Sequence, residues 1–216
     1  MNVVLNILSL LLLISCPFIN MCKWPKSDIL FILDGSYNVN QYEHEKEISF
    51  MRKCLSDIDV SEISSKVAVA QFTPKAKLEW ELVEVEDNEE VNMKLQQVLY
   101  APCDTMDKKL NCSPPASLNY IAKTGLENGN RKWIPDVIIL ISNSRYKLPD
   151  IGEKEVLMSP ISPIHIFQVN INSNSQKPDM FEPSATNIRL NAIDFNALDL
   201  LVHPLCESVN QFVDID

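Results

Sequence analysis

The chain has 216 residues, 46% of them hydrophobic and 22% charged, enough for one globular domain with a substantial core. Its formal net charge of -10 argues against nucleic acid or heparin as a partner, since both need a basic footprint.

The first 22 residues carry no charge and include the apolar run Ile7 to Ile14. That run is too short to span a bilayer, which needs about 20 apolar residues, and has the length of a signal-peptide core. Residues 1–21 are therefore expected to be a leader, with the domain over 22–216. Two other readings stay open for the segment: lipidation at Cys16 and an uncleaved anchor. No second hydrophobic stretch follows, so no membrane insertion is expected once the leader is removed.

Asp28 to Leu33 (DILFIL) reads as a strand buried on both faces, broken by Asp34-Gly35-Ser36. Asn40 to Ile58 reads as a helix with Ile48, Met51, Leu55 and Ile58 inward and Cys54 on the same side. Val67 to Phe72 (VAVAQF) is a second buried strand. Lys77 to Val85 alternates, which puts Leu78, Trp80 and Leu82 on one face and Glu79 and Glu81 on the other. Asn88 to Leu99 and Ala116 to Leu126 read as helices, separated by a loop rich in Cys, Pro and Asp; Gly129 is a plausible stop for the second. Val137 to Ile141 (VIILI) and Ile164 to Val169 read as strands, with a short last one over Asn187 to Leu190. Phe195 to Phe212 reads as a closing helix that Pro204 must bend or interrupt.

Buried strands alternating with helices imply an α/β fold: a doubly wound, mostly parallel sheet flanked by helices. Ligands of such sheets gather at the carboxyl ends of the strands, where Asp34, Ser36 and Asn143 fall. The chain contains no internal repeat and no linker that would divide the domain.

Four segments together resemble the von Willebrand factor A domain family, in the right order over residues 27 to 210. They are Ser27 to Val39 (SDILFILDGSYNV), Ser65 to Glu81 (SKVAVAQFTPKAKLEWE), Ser117 to Leu126 (SLNYIAKTGL) and Asp136 to Ser144 (DVIILISNS). The closing helix with its cysteine also fits. The resemblance implies a metal-ion-dependent adhesion site, in which serine, threonine and aspartate oxygens hold a magnesium or manganese ion. Asp34 and Ser36 match that pattern. Asn38, Cys112 and Asn143 stand where the family has serine, threonine and aspartate. Cysteine is too soft for magnesium, and Asn143 removes one of two charges facing the ion. The implied site is therefore degenerate, and no cofactor is expected.

The resemblance also implies that the chain ends meet opposite the metal loops, which makes a Cys22–Cys206 disulfide natural. Cys103 and Cys112 flank a short loop and form a candidate local bridge, leaving Cys54 as a buried thiol. Asn111-Cys112-Ser113 is a weak glycosylation signal at Asn111. His44, His165 and His203 lie on separate elements without metal spacing, and Trp24, Trp80 and Trp133 read as packing residues. No nucleophile elbow, paired acid–base motif or phosphate loop is present, so no enzyme activity is expected.

The expected function is that of a secreted, non-catalytic adhesion module that binds an extracellular matrix or cell-surface protein without metal. The rival readings are a metal-dependent adhesion domain using Asp34, Ser36 and Asn38, and a subunit that self-associates through an odd cysteine or an exposed sheet edge. The loop from Cys103 to Cys112 and the stretch from Asn170 to Pro183 are the expected sites of specificity.

Overall fold

A computed structural model describes residues 22–36, 39–72, 77–100, 118–143, 164–171 and 187–213. The expected leader over residues 1–21, and Asn38, Cys103, Asn111 and Cys112, lie outside the described residues. Six strands are described: β1 (Asp28–Asp34), β2 (Lys66–Phe72), β3 (Lys77–Trp80), β4 (Asp136–Asn143), β5 (Ile164–Ile171) and β6 (Asn187–Ala192). The helices are α1 (Gln41–Ser56), α2 (Asn88–Leu95), α3 (Leu118–Glu127) and α4 (Val202–Val213), the last preceded by a 3-10 turn over Phe195–Leu201. None of these helices is long and apolar enough to cross a membrane.

The strands form one sheet in the order β3-β2-β1-β4-β5-β6, parallel except for the antiparallel edge strand β3. The order reverses between β1 and β4, which opens a crevice at the carboxyl ends of those two strands. Period-two alternation divides each central strand between two apolar layers. Ile29, Phe31 and Leu33 of β1 join Val67, Val69, Val137, Ile139 and Ile141 in the layer covered by α1 and α4. Leu30 and Ile32 join Ala68, Ala70, Ile138 and Leu140 in the layer covered by α3. The alanines of β2 leave room on that side, and a Cβ added at Gly125 of α3 would lie 2.7 Å from the Leu30 side chain, so α3 sits close against β1.

Local sequence sets the helix ends. The Asn40 side chain accepts from the Glu43 amide at 3.0 Å, and Glu43 Oε2 accepts from the Asn40 amide at 2.9 Å. This reciprocal cap satisfies two orphan donors and starts α1 one residue later than the apolar pattern suggests. Asp87 caps α2 in the simpler way, accepting from the Glu89 and Glu90 amides. Gly129, at φ +92, follows the end of α3 in the left-handed region that favours glycine.

Three expectations need correction. β3 ends at Trp80, and its register against β2 shifts: Val69 pairs with Trp80 and Ala70 with Leu78, leaving Glu79 as the extra residue. This bulge turns Trp80 to the α1 side, where its indole N–H donates to Val67 O at 3.0 Å, while Leu78 and Leu82 stay on the α3 side. Glu79 is consequently not solvent-facing; it pairs with Lys77 at 2.7 Å and accepts from Gln71 Nε2 at 2.5 Å. Helix α2 stops at Leu95 and leaves Leu99 exposed. Trp24 and Trp80 are packed, but Trp133 is 74% exposed.

The closing segment expected over Phe195 to Phe212 is interrupted, as Pro204 requires. The α-helical part starts at Val202, two residues before Pro204, and Phe195–Leu201 forms a 3-10 turn instead; a proline disturbs the turn that precedes it, where its ring meets the carbonyl four residues back.

A disulfide joins Cys22, just before β1, to Cys206 in α4, and Asn210 Nδ2 ties the same corner by donating to Lys23 O at 2.7 Å. Cys54 is a buried free thiol whose pKa is pushed up, chiefly by burial.

Candidate functional site

Each residue of the switch-point crevice is placed by a strand end. Asp34 is the last residue of β1 and is 1% exposed. Its Oδ1 accepts from the Ser36 amide at 3.0 Å and its Oδ2 from the Asn143 amide at 2.9 Å. The first contact shapes the turn that leaves β1, and the second ties that turn to the end of β4. Asp34, Ser36 and Asn143 are thus brought together, and all three are buried. Burial pushes the Asp34 carboxyl above its ordinary range, and hydrogen bonds from Ser36 and Asn143 pull it partly back.

Two further polar residues stand beneath this edge. The Asp34 amide donates to Glu47 Oε2 at 3.1 Å, and Glu47, on the inner face of α1, is fully buried. Its other oxygen has no hydrogen-bond partner among the described residues. Burial raises the Glu47 pKa well above the ordinary carboxyl value, and the nearby Asp34 charge raises it further.

His44, one turn earlier on α1, is 2% exposed, with Nδ1 3.9 Å from Glu47 Oε2. Neither of its ring nitrogens has a hydrogen-bond partner among the described residues. Burial lowers the His44 pKa, against the upward pull of Glu79 and Glu45. Its ring lies 5.6 Å from that of Tyr100, whose hydroxyl donates to Val39 O at 2.8 Å.

Glu47 and His44 were not identified from the sequence, although a signal existed. Positions 44, 47, 48, 51, 54, 55 and 58 form one helical stripe, and the two polar residues on it lie on the buried side. Polar residues on a core-facing stripe mark either a paired network or a special site.

Asp34 and Ser36 offer a hard cation one carboxylate and one hydroxyl. Both oxygens of that carboxylate already accept backbone N–H bonds, and Asn143 brings no charge. Among the described residues no group of three or more His, Cys, Asp or Glu side chains is arranged to hold a metal ion.

The sequence profile of the von Willebrand factor type A domain matches residues 28–180. Human von Willebrand factor A domain-containing protein 2 is 24% identical over 118 residues, which cover 55% of this chain and 15% of that protein. Chicken matrilin-1 is 22% identical over 120 residues, covering 55% of this chain and 23% of its own length. Cuticlin-6 of Caenorhabditis elegans is 21% identical over 189 residues, covering 87% and 31%. The chain therefore spans less than a third of each of these relatives. Among solved structures, proximal thread matrix protein 1 from the mussel byssus, with a zinc-occupied MIDAS motif, is similar with a TM-score of 0.62 and 14% identity. That match covers 85% of this chain and 48% of the other. At such identity the likeness speaks to the fold, which agrees with the sheet order and helix layers described above. With the profile matched over more than half of its length, the chain belongs to the von Willebrand factor type A domain family.

Proposed function

We propose that the chain is a secreted, non-catalytic protein-binding module of the extracellular matrix whose strand-end face works without a divalent cation. The observation that carries this reading is the state of Asp34. Its two carboxylate oxygens are occupied by the Ser36 and Asn143 amides, and the residue facing it across the crevice is a neutral asparagine. A divalent ion gives up tightly held water on binding, and a single buried carboxylate offsets that cost poorly. The burial that raises the Asp34 and Glu47 pKa values works in the same direction, because it favours uncharged forms.

Secretion is supported by the Cys22–Cys206 disulfide, which suits an oxidising compartment, and by relatives named as matrilin, cuticlin and thread matrix protein. The absence of a nucleophile–base pair from the sequence motifs supports a binding role over catalysis.

The test is thermal unfolding of the secreted protein in chelator and then in millimolar magnesium, manganese, calcium or zinc. An unchanged melting temperature is expected with every ion. An ion bound at 100 times its dissociation constant would stabilise the fold by about 2.7 kcal/mol, or roughly 5–10 °C for a domain of this size. A rise of that order, abolished by Asp34→Ala, would overturn the proposal in favour of metal-dependent adhesion.

A further inference from the structure

At the end of the sheet opposite the crevice, three turns meet. The turn from Ser61 to Ser64 is closed by the Ser64 amide, which donates to Ser61 O at 3.3 Å and to Ser61 Oγ at 3.1 Å. The turn from Glu81 to Glu84 is closed by the Glu84 amide donating to Glu81 O. The third loop, from Asn128 to Pro135, touches both others. Arg131 Nη1 donates to Glu62 O at 2.8 Å, and a Cβ added at Gly129 would lie 2.5 Å from Val83 Cγ1. This loop is held firmly, because the Arg131 amide and guanidinium all bond the buried Asp28 carboxylate and the Asp28 amide donates to Pro135 O.

On that rigid support stand two large apolar side chains in water: Ile63, 83% exposed, and Trp133, 74% exposed. Trp133 also has φ +70, a left-handed conformation that is strained for a bulky residue and easy for glycine. The free protein bears both the strain and the exposure, and the Trp133 ring packs into neither apolar layer of the sheet. A cation of its own loop, Lys132 Nζ, lies 4.9 Å from the ring centroid. An exposed tryptophan and an exposed isoleucine, on two loops joined by the Arg131–Glu62 hydrogen bond, have the composition of an interface anchor.

We infer that this lower face pairs two copies of the chain around a two-fold axis, Trp133 and Lys132 of one copy meeting Ile63 and Glu62 of the other. The charge pattern favours a second copy. Glu62 flanks Ile63 and Lys132 flanks Trp133, both exposed, so the patch carries its own complement even though the chain's net charge is -10. A two-fold pairing then brings apolar to apolar and acid to base on both sides at once. The two side chains expose on the order of 300 Å² together, against about 800 Å² per partner in a stable complex. The pairing is accordingly weak and driven by concentration, as suits a protein packed in a matrix. It leaves both strand-end faces pointing away from the contact. The resulting bivalence rests on the function proposed above, whereas the pairing itself does not.

The test is sedimentation velocity of the secreted protein from about 1 μM to 1 mM, a span chosen for weak complexes, with a non-reducing gel to show that no covalent dimer forms. The wild type is expected to rise from the mass of one chain towards two. Trp133→Gly is expected to stay at one chain throughout without losing thermal stability, since glycine accepts φ +70. Glu62→Lys alone and Lys132→Glu alone should each weaken pairing, and the double charge swap should restore it, an outcome that mere structural damage would not give. A one-chain mass for the wild type at every concentration would overturn the inference, as would Trp133→Gly pairing like the wild type or a charge swap that fails to rescue. None of these readouts depends on the strand-end face.

Discussion

Replacing Arg131 by methionine tests how much of the fold hangs on one buried charge pair. Asp28 is fully buried at the start of β1, and Arg131 is 18% exposed. The carboxylate receives the Arg131 amide at 2.7 Å on Oδ2, and Nε at 2.8 Å and Nη2 at 2.6 Å on Oδ1. Methionine keeps the aliphatic volume and the backbone bond but removes the cation, which leaves Asp28 charged and uncompensated in the sheet. Breaking a buried pair in this way costs about 3–5 kcal/mol, and the partial exposure of Arg131 places the expected loss near the lower end, ~3 kcal/mol. For a domain of this size that is roughly 6–12 °C in melting temperature. Urea unfolding followed by circular dichroism measures it directly. The double variant Asp28→Asn/Arg131→Met should recover at least half of the loss, because the stranded charge is gone. A single-variant loss below about 1 kcal/mol, or a double variant no better than the single, would show that the pair is a bystander.

The remaining predictions concern titration, the cross-link and the crevice. Asp136, beside Asp28 in the parallel register, is fully buried, and its pKa is raised to about 6 by burial and by the Asp28 charge, against a hydrogen bond from Asn130. Because the folded value lies above the unfolded one, its contribution is present below about pH 4 and lost as pH rises through 6; Asp136→Asn should flatten that slope and add up to about 3 kcal/mol at pH 7 in urea titrations. The lowered His44 pKa works in the opposite direction: stability is present above pH 6.5 and lost as pH falls through the folded value. His44→Phe should therefore melt less acid-sensitively than the wild type between pH 7 and 5, and an identical acid slope would remove His44 as its source. The Cys22–Cys206 bridge spans 184 residues, so opening it by Cys22→Ser/Cys206→Ser should cost about 5 kcal/mol on the chain-entropy argument, read as a fall in melting temperature. Asn143→Asp sets a second carboxylate against Asp34; in chelator it should lower stability, and millimolar manganese should restore it while leaving the wild type unchanged.

The parallel core was legible because strands buried on both faces leave continuous apolar runs, and DILFIL, VAVAQF and VIILI each became a central strand. Where a single extra residue decides the outcome, the pattern misled. Alternation from Lys77 onward is regular on paper, yet the bulge at Glu79 reverses the face of Trp80, and nothing in the residue types announces it. Trp133 looked like a packing residue because most tryptophans are; its left-handed backbone is set by a loop clamped to Asp28 over a separation of 103 residues, a distance that local reading does not cross. The crevice was half legible. Strand ends pointed to Asp34 and Asn143, whereas Glu47 and His44 were hidden among the charges of a helix that otherwise reads as amphipathic.

β1 carries a buried carboxylate at each end, and the two are compensated differently. Asp28 faces a full cation with fork geometry, which neutralises its charge and fixes the loop that supplies it. Asp34 faces no cation among the described residues and accepts from two backbone amides, and a second buried acid, Glu47, accepts from the Asp34 amide itself. Two acids so placed cannot both ionise cheaply, so the strand-end site favours a lower charge than its residue types suggest. The Glu47 oxygen and His44 nitrogens that lack a partner among the described residues lie at this same end, where each such atom left unpaired costs about 1–3 kcal/mol that close packing elsewhere must offset. The lower end is thus clamped by a full ion pair, whereas the upper end holds buried acids without one; among the described residues unpartnered polar atoms occur at both, Asp136 Oδ2 below and Glu47 Oε1 above. On the proposed function, that division has a consequence for recognition. A crevice of low charge gains little from bridging an ion and gains more from shape and from neutral hydrogen bonds, so partner binding at the upper face should depend only weakly on salt.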